Sequence, residues 1–285
     1  MDSLVRPHLL VVAIALLFTS FSANAEKPLT LGIHPYKSPQ KLLKIYQPLA
    51  TYLGEKLNRQ VNISIAKDYS THIKQIGLDK IDIAYLGPAS YVKMVRQYGT
   101  KPILVRQAIN HKPTFQGKII ARKKSTINAI DELQGKRFAF GDINSTMSHL
   151  VPRFMLIKAG INSNNLKQMD FLGSHDNVAL GVLSGDYDAG AVKEAVFYKY
   201  RARGIKALAT TPALSEHLFV AGNHLSPKLT ANIKHVLLNL KNNPKGLKAM
   251  QSIKKKMTSM VPARDSDYDN LREILNALKE NNIIQ

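Results

Sequence analysis

From residue 26 onward, the hydrophobic pattern alternates between short strand-like runs and stretches with helical spacing. Leu29 to His34, Val61 to Ala66 and Ile81 to Leu86 are predicted strands. Apolar residues at helical spacing follow each of them, and Ser38-Pro39 and Gly87-Pro88 carry the residues typical of helix starts. This βαβαβ order predicts a parallel sheet with helices packed on it.

A second α/β series follows two strands, 102–109 and 116–122, that a turn-rich link at 110–113 connects. Its predicted strands are 137–141, 169–172, 187–192 and 205–209, with helices between them. After a strand at 218–221, three helices are predicted, following Ser226-Pro227, following Pro244 and from Ser266 onward.

Two α/β units in series predict two lobes, each a mainly parallel sheet flanked by helices. Residues 26–115 with 212–285 are assigned to lobe I, and residues 116–211 to lobe II. The chain would cross between the lobes near 110–117 and 210–218. Two crossovers form a hinge, and hinge closure around a ligand is a common use of such a fold.

The N-terminus indicates export. Leu9 to Phe18 is an apolar run of ten residues, preceded by Arg6 and followed by Ala23-Asn24-Ala25. The run is shorter than the roughly 20 residues that a membrane-spanning helix needs. The small residues at 23 and 25 have the form cut by signal peptidase. Residues 1–25 are therefore predicted to be a cleaved signal peptide, with a mature periplasmic protein that begins at Glu26.

Composition narrows the chemistry. The chain has no cysteine, so disulfides and thiolate catalysis are excluded, and its formal net charge is +20. Such a charge favours an anionic partner. The densest basic runs, 122–124 and 254–256, are short and are interpreted as solvated surface lysines and arginines.

The strand-to-helix turns carry the candidate binding groups. Ser145, Thr146 and the Met147 amide follow the strand predicted at 137–141, and His175 follows the next strand. In a parallel sheet such turns meet at the carboxyl ends of the strands, where ligands bind. Helix-start amides favour an anion, hydroxyls donate to its oxygens, and a protonated histidine would add charge. In the first unit, Tyr69 follows one predicted strand and Tyr85 lies at the end of another, so both are candidates for the same site.

No enzyme signature is present. The sequence lacks GxSxG, HExxH and P-loop motifs, and its nine histidines show no metal-ligand spacing. A non-enzyme without metal or cofactor is expected, functioning as a monomer that binds a small anion and no nucleic acid.

The ordered set of motifs resembles the phosphate/phosphite/phosphonate solute-binding family of ABC transporters, the phosphonate-binding-protein-like group. The segments that carry the resemblance are Lys67-Asp68-Tyr69, 81–88, 133–136 with 140–142, Asn144-Ser145-Thr146, Val151-Pro152, Ser174-His175-Asp176 and 185–190. The resemblance implies a two-lobed periplasmic binding protein of the second topological type, which delivers a small oxyanion to an inner-membrane permease.

The resemblance also implies site residues. Ser145 and Thr146 match two positions of a Ser-Thr-Ser run that holds the phosphonate, His175 matches a histidine and Tyr69 a tyrosine. Met147 stands where a third hydroxyl is expected, and Phe115 lies where the family often has a tyrosine. Lys193 beside Glu194 occupies a region where a binder of aminoalkylphosphonates places an acid. These departures predict weak aminoethylphosphonate binding.

Four alternatives stay open at this stage. The same capture could feed a membrane sensor kinase, or the ligand could be a larger anion that is not a phosphonate. An enzyme that resembles the pyrimidine-precursor synthases of thiamine biosynthesis would use the same fold, although the missing cysteine argues against it. A basic protein that binds the envelope or nucleic acid is the last alternative.

Overall fold

The computed structural model describes residues 26–284, so the predicted signal peptide lies outside the described residues. Thirteen strands are defined in this part of the chain: β1 Leu29–Ile33, β2 Val61–Ile65, β3 Ile83–Leu86, β4 Ile103–Ile109, β5 Thr114–Phe115, β6 Gly117–Arg122, β7 Arg137–Phe140, β8 Gln168–Phe171, β9 Ala189–Lys193, β10 Ile205–Thr210, β11 Leu214–Ser215, β12 Leu218–Ala221 and β13 Met257–Val261.

The α-helices of the same residues are α1 Pro39–Leu57, α2 Tyr69–Gly77, α3 Pro88–Tyr98, α4 Val151–Lys158, α5 His175–Ser184, α6 Glu194–Arg201, α7 Pro227–Leu238, α8 Pro244–Ile253 and α9 Asp269–Glu280. None of the helices between residues 26 and 284 is long and apolar enough to cross a membrane.

The first sheet has the strand order β13-β4-β12-β3-β1-β2. Strand β1 pairs in parallel with β2 and β3, whereas β12 runs antiparallel to β3 and β4, and β13 runs antiparallel to β4. Four strands therefore share one direction. The apolar residues of β1, and Ile83 and Tyr85 of β3, are buried beneath α1, α7 and α8, whereas Ala84 and Leu86 of β3 pack on the opposite face with α2, α3 and α9.

The second sheet has the order β10-β6-β9-β7-β8. Strand β7 pairs in parallel with β8 and β9, and only β6 runs against the other four. Helices cover both faces of this sheet with two separate apolar clusters. In both sheets the predominant direction is the parallel one that the sequence pattern predicts.

The chain passes between the sheets twice, and the two links are paired with each other. Leu214 pairs with Phe115 and Ser215 with Thr114 in the β5–β11 ladder. Beside it, Thr211 donates its amide to the Gly117 carbonyl and accepts the Gly117 amide on its hydroxyl. Paired links of this kind form the hinge of two-lobed proteins. The lobe boundaries at 115/116 and 211/212 stay predictions.

Two features differ from the sequence-based expectation. Strand β13 was missed because Met257–Val261 follows three lysines and ends at a proline, which resembles a loop. The C-terminal helix, expected on lobe I, contacts both lobes. Its apolar face packs in one cluster with α3 and with Met147, Leu150 and Val151 of the second lobe.

Candidate functional site

A cavity of about 80 Å³ lies between the two sheets. This volume is sufficient for a few water molecules or for a small ligand. All the residues predicted as ligand-binding line it, namely Tyr69, Tyr85, Ser145, Thr146, Met147 and His175. The structure thus brings the predicted set together, while ligand contact by each of them stays a prediction.

The cavity forms where the parallel strands of both sheets end. Strands β1, β2 and β3 of the first sheet and β7, β8 and β9 of the second all run toward it, and the residues that follow each of them line its wall. This is the edge at which open α/β sheets bind ligands. The convergence of strand-to-helix turns that the sequence predicts is therefore present.

Several helices begin at this edge. Asp68 caps α2 by accepting the Thr71 amide, Ser174 caps α5 by accepting the Asn177 amide, and Gly87 precedes α3. The first amides of a helix lack acceptors within the helix and carry the positive end of its dipole. An anion in the cavity would therefore meet several favourable dipoles at once.

Two hydrogen bonds join the lobes across the cavity. The Thr146 hydroxyl oxygen accepts the Ala89 amide at 3.1 Å, at the start of α3. The Lys93 ammonium donates to Asn144 Oδ1 at 2.6 Å. The loop that carries the predicted anion site is thus held against the other lobe in this closed arrangement, and the Thr146 proton remains available for an acceptor in the cavity.

The segment after β7 starts with a π-helical turn, Thr146–Leu150, before α4. Ser145 caps this turn by accepting the Ser148 amide at 3.2 Å, and the Ser148 hydroxyl donates to the Ala191 carbonyl at 2.6 Å. Ser148 is therefore a structural residue. The Met147 side chain is buried and accepts a bond from the Thr211 hydroxyl at 3.3 Å, so it touches the hinge while its amide lies in the first turn.

His175 is fixed in one neutral form. Its Nδ1 accepts the Lys193 amide at 3.0 Å, and because an amide can only donate, the ring proton must lie on Nε2. Burial, and after it the positive charge of Lys193 and the neighbouring His217, hold the pKa of His175 well below its ordinary value. His175 therefore offers a neutral donor, without the positive charge that a protonated histidine would add.

The two predicted tyrosines differ. Tyr69 is half-buried, and within the described residues its hydroxyl has no hydrogen-bond partner, so it is able to donate. Tyr85 is fully buried, its ring stacks on His217 with centroids 5.5 Å apart, and its hydroxyl donates to Gln107 Oε1 at 3.4 Å. Tyr85 thus contributes its ring to the wall, because its hydroxyl is already used.

Two buried polar atoms of the cavity wall have no hydrogen-bond partner among the described residues. They are His34 Nδ1 and Ser90 Oγ, on residues that are each only 2% exposed. A buried polar atom without a partner costs about 1–3 kcal/mol. An oxyanion could accept from both, which makes these two atoms the strongest local sign of a polar ligand.

Lysines line one end of the cavity. Lys254 pairs with the buried Glu216 at 3.1 Å, and Glu216 also accepts from His217 Nδ1 at 2.8 Å. Burial raises the pKa of Glu216, but the positive charge of Lys254 and the hydrogen bonds from His217 outweigh it, so the pKa of this carboxyl lies far below its ordinary value. The interpretation of run 254–256 as solvated surface is therefore wrong for Lys254. Burial lowers the pKa of Lys193 to about 8, so it is mainly protonated at neutral pH.

Sequence reasoning missed several residues of the wall. His34, Tyr36 and Lys37 follow β1, so the rule that ligands meet the ends of parallel strands would have found them. The same rule applies to Lys193 at the end of β9, which was noted only through the resemblance. His217 and Lys254 come from β11–β12 and from the end of α8, and no local pattern marks them.

Comparisons with known proteins agree with this geometry. The family model described as "ABC transporter, phosphonate, periplasmic substrate-binding protein" matches residues 31–268. A probable ABC transporter phosphite-binding protein of Prochlorococcus marinus is 25% identical, over 93% of this chain and 95% of its own length. A phosphate-import protein of Mycolicibacterium smegmatis is also 25% identical, over 86% of this chain and 84% of its own length.

A solved structure shows the same fold. The P. marinus protein in complex with methylphosphonate superposes with a TM-score of 0.79 at 24% identity, covering 90% of this chain and 99% of that one. The predicted two-lobed α/β fold is thereby confirmed.

We predict that the protein loses stability as the pH falls from about 6.5 to about 4. Burial lowers the pKa of His72, His149 and His217 to about 4 each. The unfolded chain takes up these protons below about 6.5, near the ordinary histidine pKa, so acid favours unfolding. Glu216 acts in the same direction, because its carboxylate stays charged in the fold. Thermal unfolding at constant ionic strength measures the effect.

His72→Asn should flatten this pH dependence, since His72 donates Nε2–H to the Tyr85 carbonyl and is 1% exposed. His111→Asn is the matched control, because His111 is exposed and its positive φ of 64° suits asparagine. A midpoint that is constant between pH 7 and pH 4, or an equal change of slope in both variants, would contradict the prediction.

Proposed function

This chain belongs to the family of periplasmic substrate-binding proteins of phosphonate ABC transporters, and we propose that its cavity captures a small phosphorus oxyanion for delivery to an inner-membrane permease. The observation that carries the proposal is the closed cavity itself. It combines helix-start amides, hydroxyls and a neutral histidine donor with two buried polar atoms that lack protein partners.

The size of the cavity supports a small ligand. Its volume of about 80 Å³ suits an oxyanion with a short substituent, whereas pockets for drug-sized molecules span roughly 300–1,000 Å³. Two relatives carry names that refer to phosphite and phosphate, and the structural neighbour holds methylphosphonate. We therefore place the ligand of this chain among phosphorus oxyanions of that size.

The mode of action follows from the hinge. A ligand whose oxygens bind both Thr146 and the first amides of α3 would join the Thr146 loop to α3. The hydrogen bond between Ala89 and Thr146 already connects these two elements. Such a ligand stabilises the closed form, which a permease can recognise, because it binds that form better than the open one. Binding and release suffice for this role, and we propose no catalytic step.

We expect one phosphorus oxyanion to stabilise the protein in a thermal-unfolding screen of phosphate, phosphite, methylphosphonate and aminoethylphosphonate, with sulfate and small carboxylates for comparison. A ligand at about 100 times its Kd adds about 2.7 kcal/mol, which corresponds to roughly 5–10 °C for a chain of this size. The shift should disappear when Ser145→Ala and Thr146→Ala are combined. A carboxylate or sulfate that stabilises the protein more than every phosphorus compound would overturn the proposed ligand class.

Thr146→Val should weaken binding of that ligand on the order of 5- to 150-fold, since it leaves the Ala89 amide without its acceptor at a cost of about 1–3 kcal/mol. Thr146→Ser keeps the hydroxyl and is the matched control. Isothermal titration calorimetry gives both dissociation constants. Equal affinities for the Val and Ser variants would show that this hydroxyl does not contribute to closure.

We also propose that the signal peptide is cleaved after Ala25. Mass spectrometry of the protein from a periplasmic extract should find Glu26 as its first residue. The double substitution Ala23→Leu with Ala25→Leu removes the small side chains that the peptidase requires. The uncleaved protein should then remain with the membrane fraction. A mature protein that begins elsewhere would refute this cleavage site.

A further inference from the structure

Two lysines of the cavity wall converge on one aromatic ring. The Lys37 ammonium lies 5.7 Å and the Lys193 ammonium 6.0 Å from the centroid of Tyr36, and all three residues line the cavity. Cation–π contacts at such distances are weakly favourable and do not neutralise charge. This part of the cavity, defined by Lys37, Lys193 and Tyr36, is called the cationic end below.

The nearby carboxylates are already engaged by other groups. Glu216 accepts from Lys254 and His217, and Asp176 accepts from Lys199 and from the Tyr200 hydroxyl. Within residues 26–284, Lys193 and Lys37 form no ion pair with either acid. Lys193 is half-buried and forms no ion pair among the described residues, so an anionic group of a ligand could serve as its counter-ion.

The cationic end and the loop that carries the hydroxyls reach the cavity from different strands. Lys37 follows β1 of the first sheet and Lys193 ends β9 of the second, whereas Ser145 and Thr146 follow β7. The cavity wall therefore has a cationic end and a hydroxyl end that different segments contribute.

His175 connects these two ends. Its Nδ1 accepts the Lys193 amide, which leaves Nε2–H as the donor for a ligand oxygen. A phosphorus oxyanion held by the Thr146 loop, the α3 start and His175 satisfies one end of the cavity. Lys193 and Lys37 then remain unpaired at the other end, where a substituent of the ligand would lie.

We propose that the ligand carries a second negatively charged group, a carboxylate on a short substituent of the phosphorus oxyanion, and that Lys193 and Lys37 bind it. This specificity rests on the proposed function. It predicts that an ammonium substituent is disfavoured, because it would place a third positive charge beside two unpaired lysines. The simplest probe of the proposed class is phosphonoacetate.

The test compares four probes by isothermal titration calorimetry at pH 7: methylphosphonate, phosphonoacetate, aminoethylphosphonate and malonate. The protein is purified from the periplasm after expression of the full chain. We expect phosphonoacetate to bind at least about 10-fold more tightly than methylphosphonate, and aminoethylphosphonate to bind more weakly than methylphosphonate.

Lys193→Met keeps most of the side-chain volume and removes the charge. We expect it to weaken phosphonoacetate on the order of 30-fold or more, as for the loss of one partner from a buried charge pair, and to change methylphosphonate by less than about threefold. Lys228→Met, at an exposed position of α7, is the matched control and should change neither affinity. The unfolding midpoint of the ligand-free Lys193 variant should not fall, since the change removes a half-buried charge that pairs with no acid of the described residues.

The possible outcomes separate the two proposals. If methylphosphonate binds and phosphonoacetate binds no better, the cationic end has no role and the proposed function stands. If Lys193→Met weakens both phosphonates equally, Lys193 holds the phosphorus oxyanion itself and the second-anion proposal is overturned. If only malonate binds, and does so through Lys193, the cationic end is supported and the phosphorus ligand class fails.

Discussion

The organisation of this protein depends on polar groups that the folded chain buries in its cavity without pairing them. Among residues 26–284, His34 Nδ1 and Ser90 Oγ have no hydrogen-bond partner and the Lys193 ammonium forms no ion pair. A buried polar group that no partner satisfies lowers the stability of the fold. A ligand that satisfied such groups would recover this cost, so ligand affinity and closure of the lobes would have the same physical origin.

The hinge and the anion loop are mechanically connected. Met147 accepts a bond from Thr211, whose amide and hydroxyl both bond to Gly117 in the opposite link. A Cβ at Gly117 would lie 3.0 Å from the Met147 carbonyl oxygen, so the loop packs directly on the crossover. Helix α9 adds a second connection through its contacts with both lobes. The loop that carries Ser145 and Thr146 is therefore packed against the base of the crossover and against the helix that contacts both lobes.

Local sequence patterns predicted the βαβ series, the crossovers and the turns that carry Tyr69, Ser145 and His175, because each is encoded within about ten consecutive residues. They did not predict that His217 and Lys254 reach the cavity, since those positions depend on how β12 and α8 pack on the first sheet. The protonation of His175 was also beyond local reasoning, because its state follows from a bond to an amide 18 residues away. Burial and long-range pairing, rather than motif content, decided these points.

Charge acts on this protein at two distances with different consequences. The net charge of +20 attracts any anion, and salt screens that attraction over about 8–10 Å, so it favours encounter without selecting a partner. Selection between anions depends instead on the charged groups that line the cavity, and on whether each of them already has a partner of opposite charge. Lys254 is neutralised by Glu216, whereas Lys193 is not, although both line the same small cavity. Two lysines of equal formal charge therefore differ in their pairing, and the proposed selection of a second anionic group depends on this difference rather than on the number of lysines.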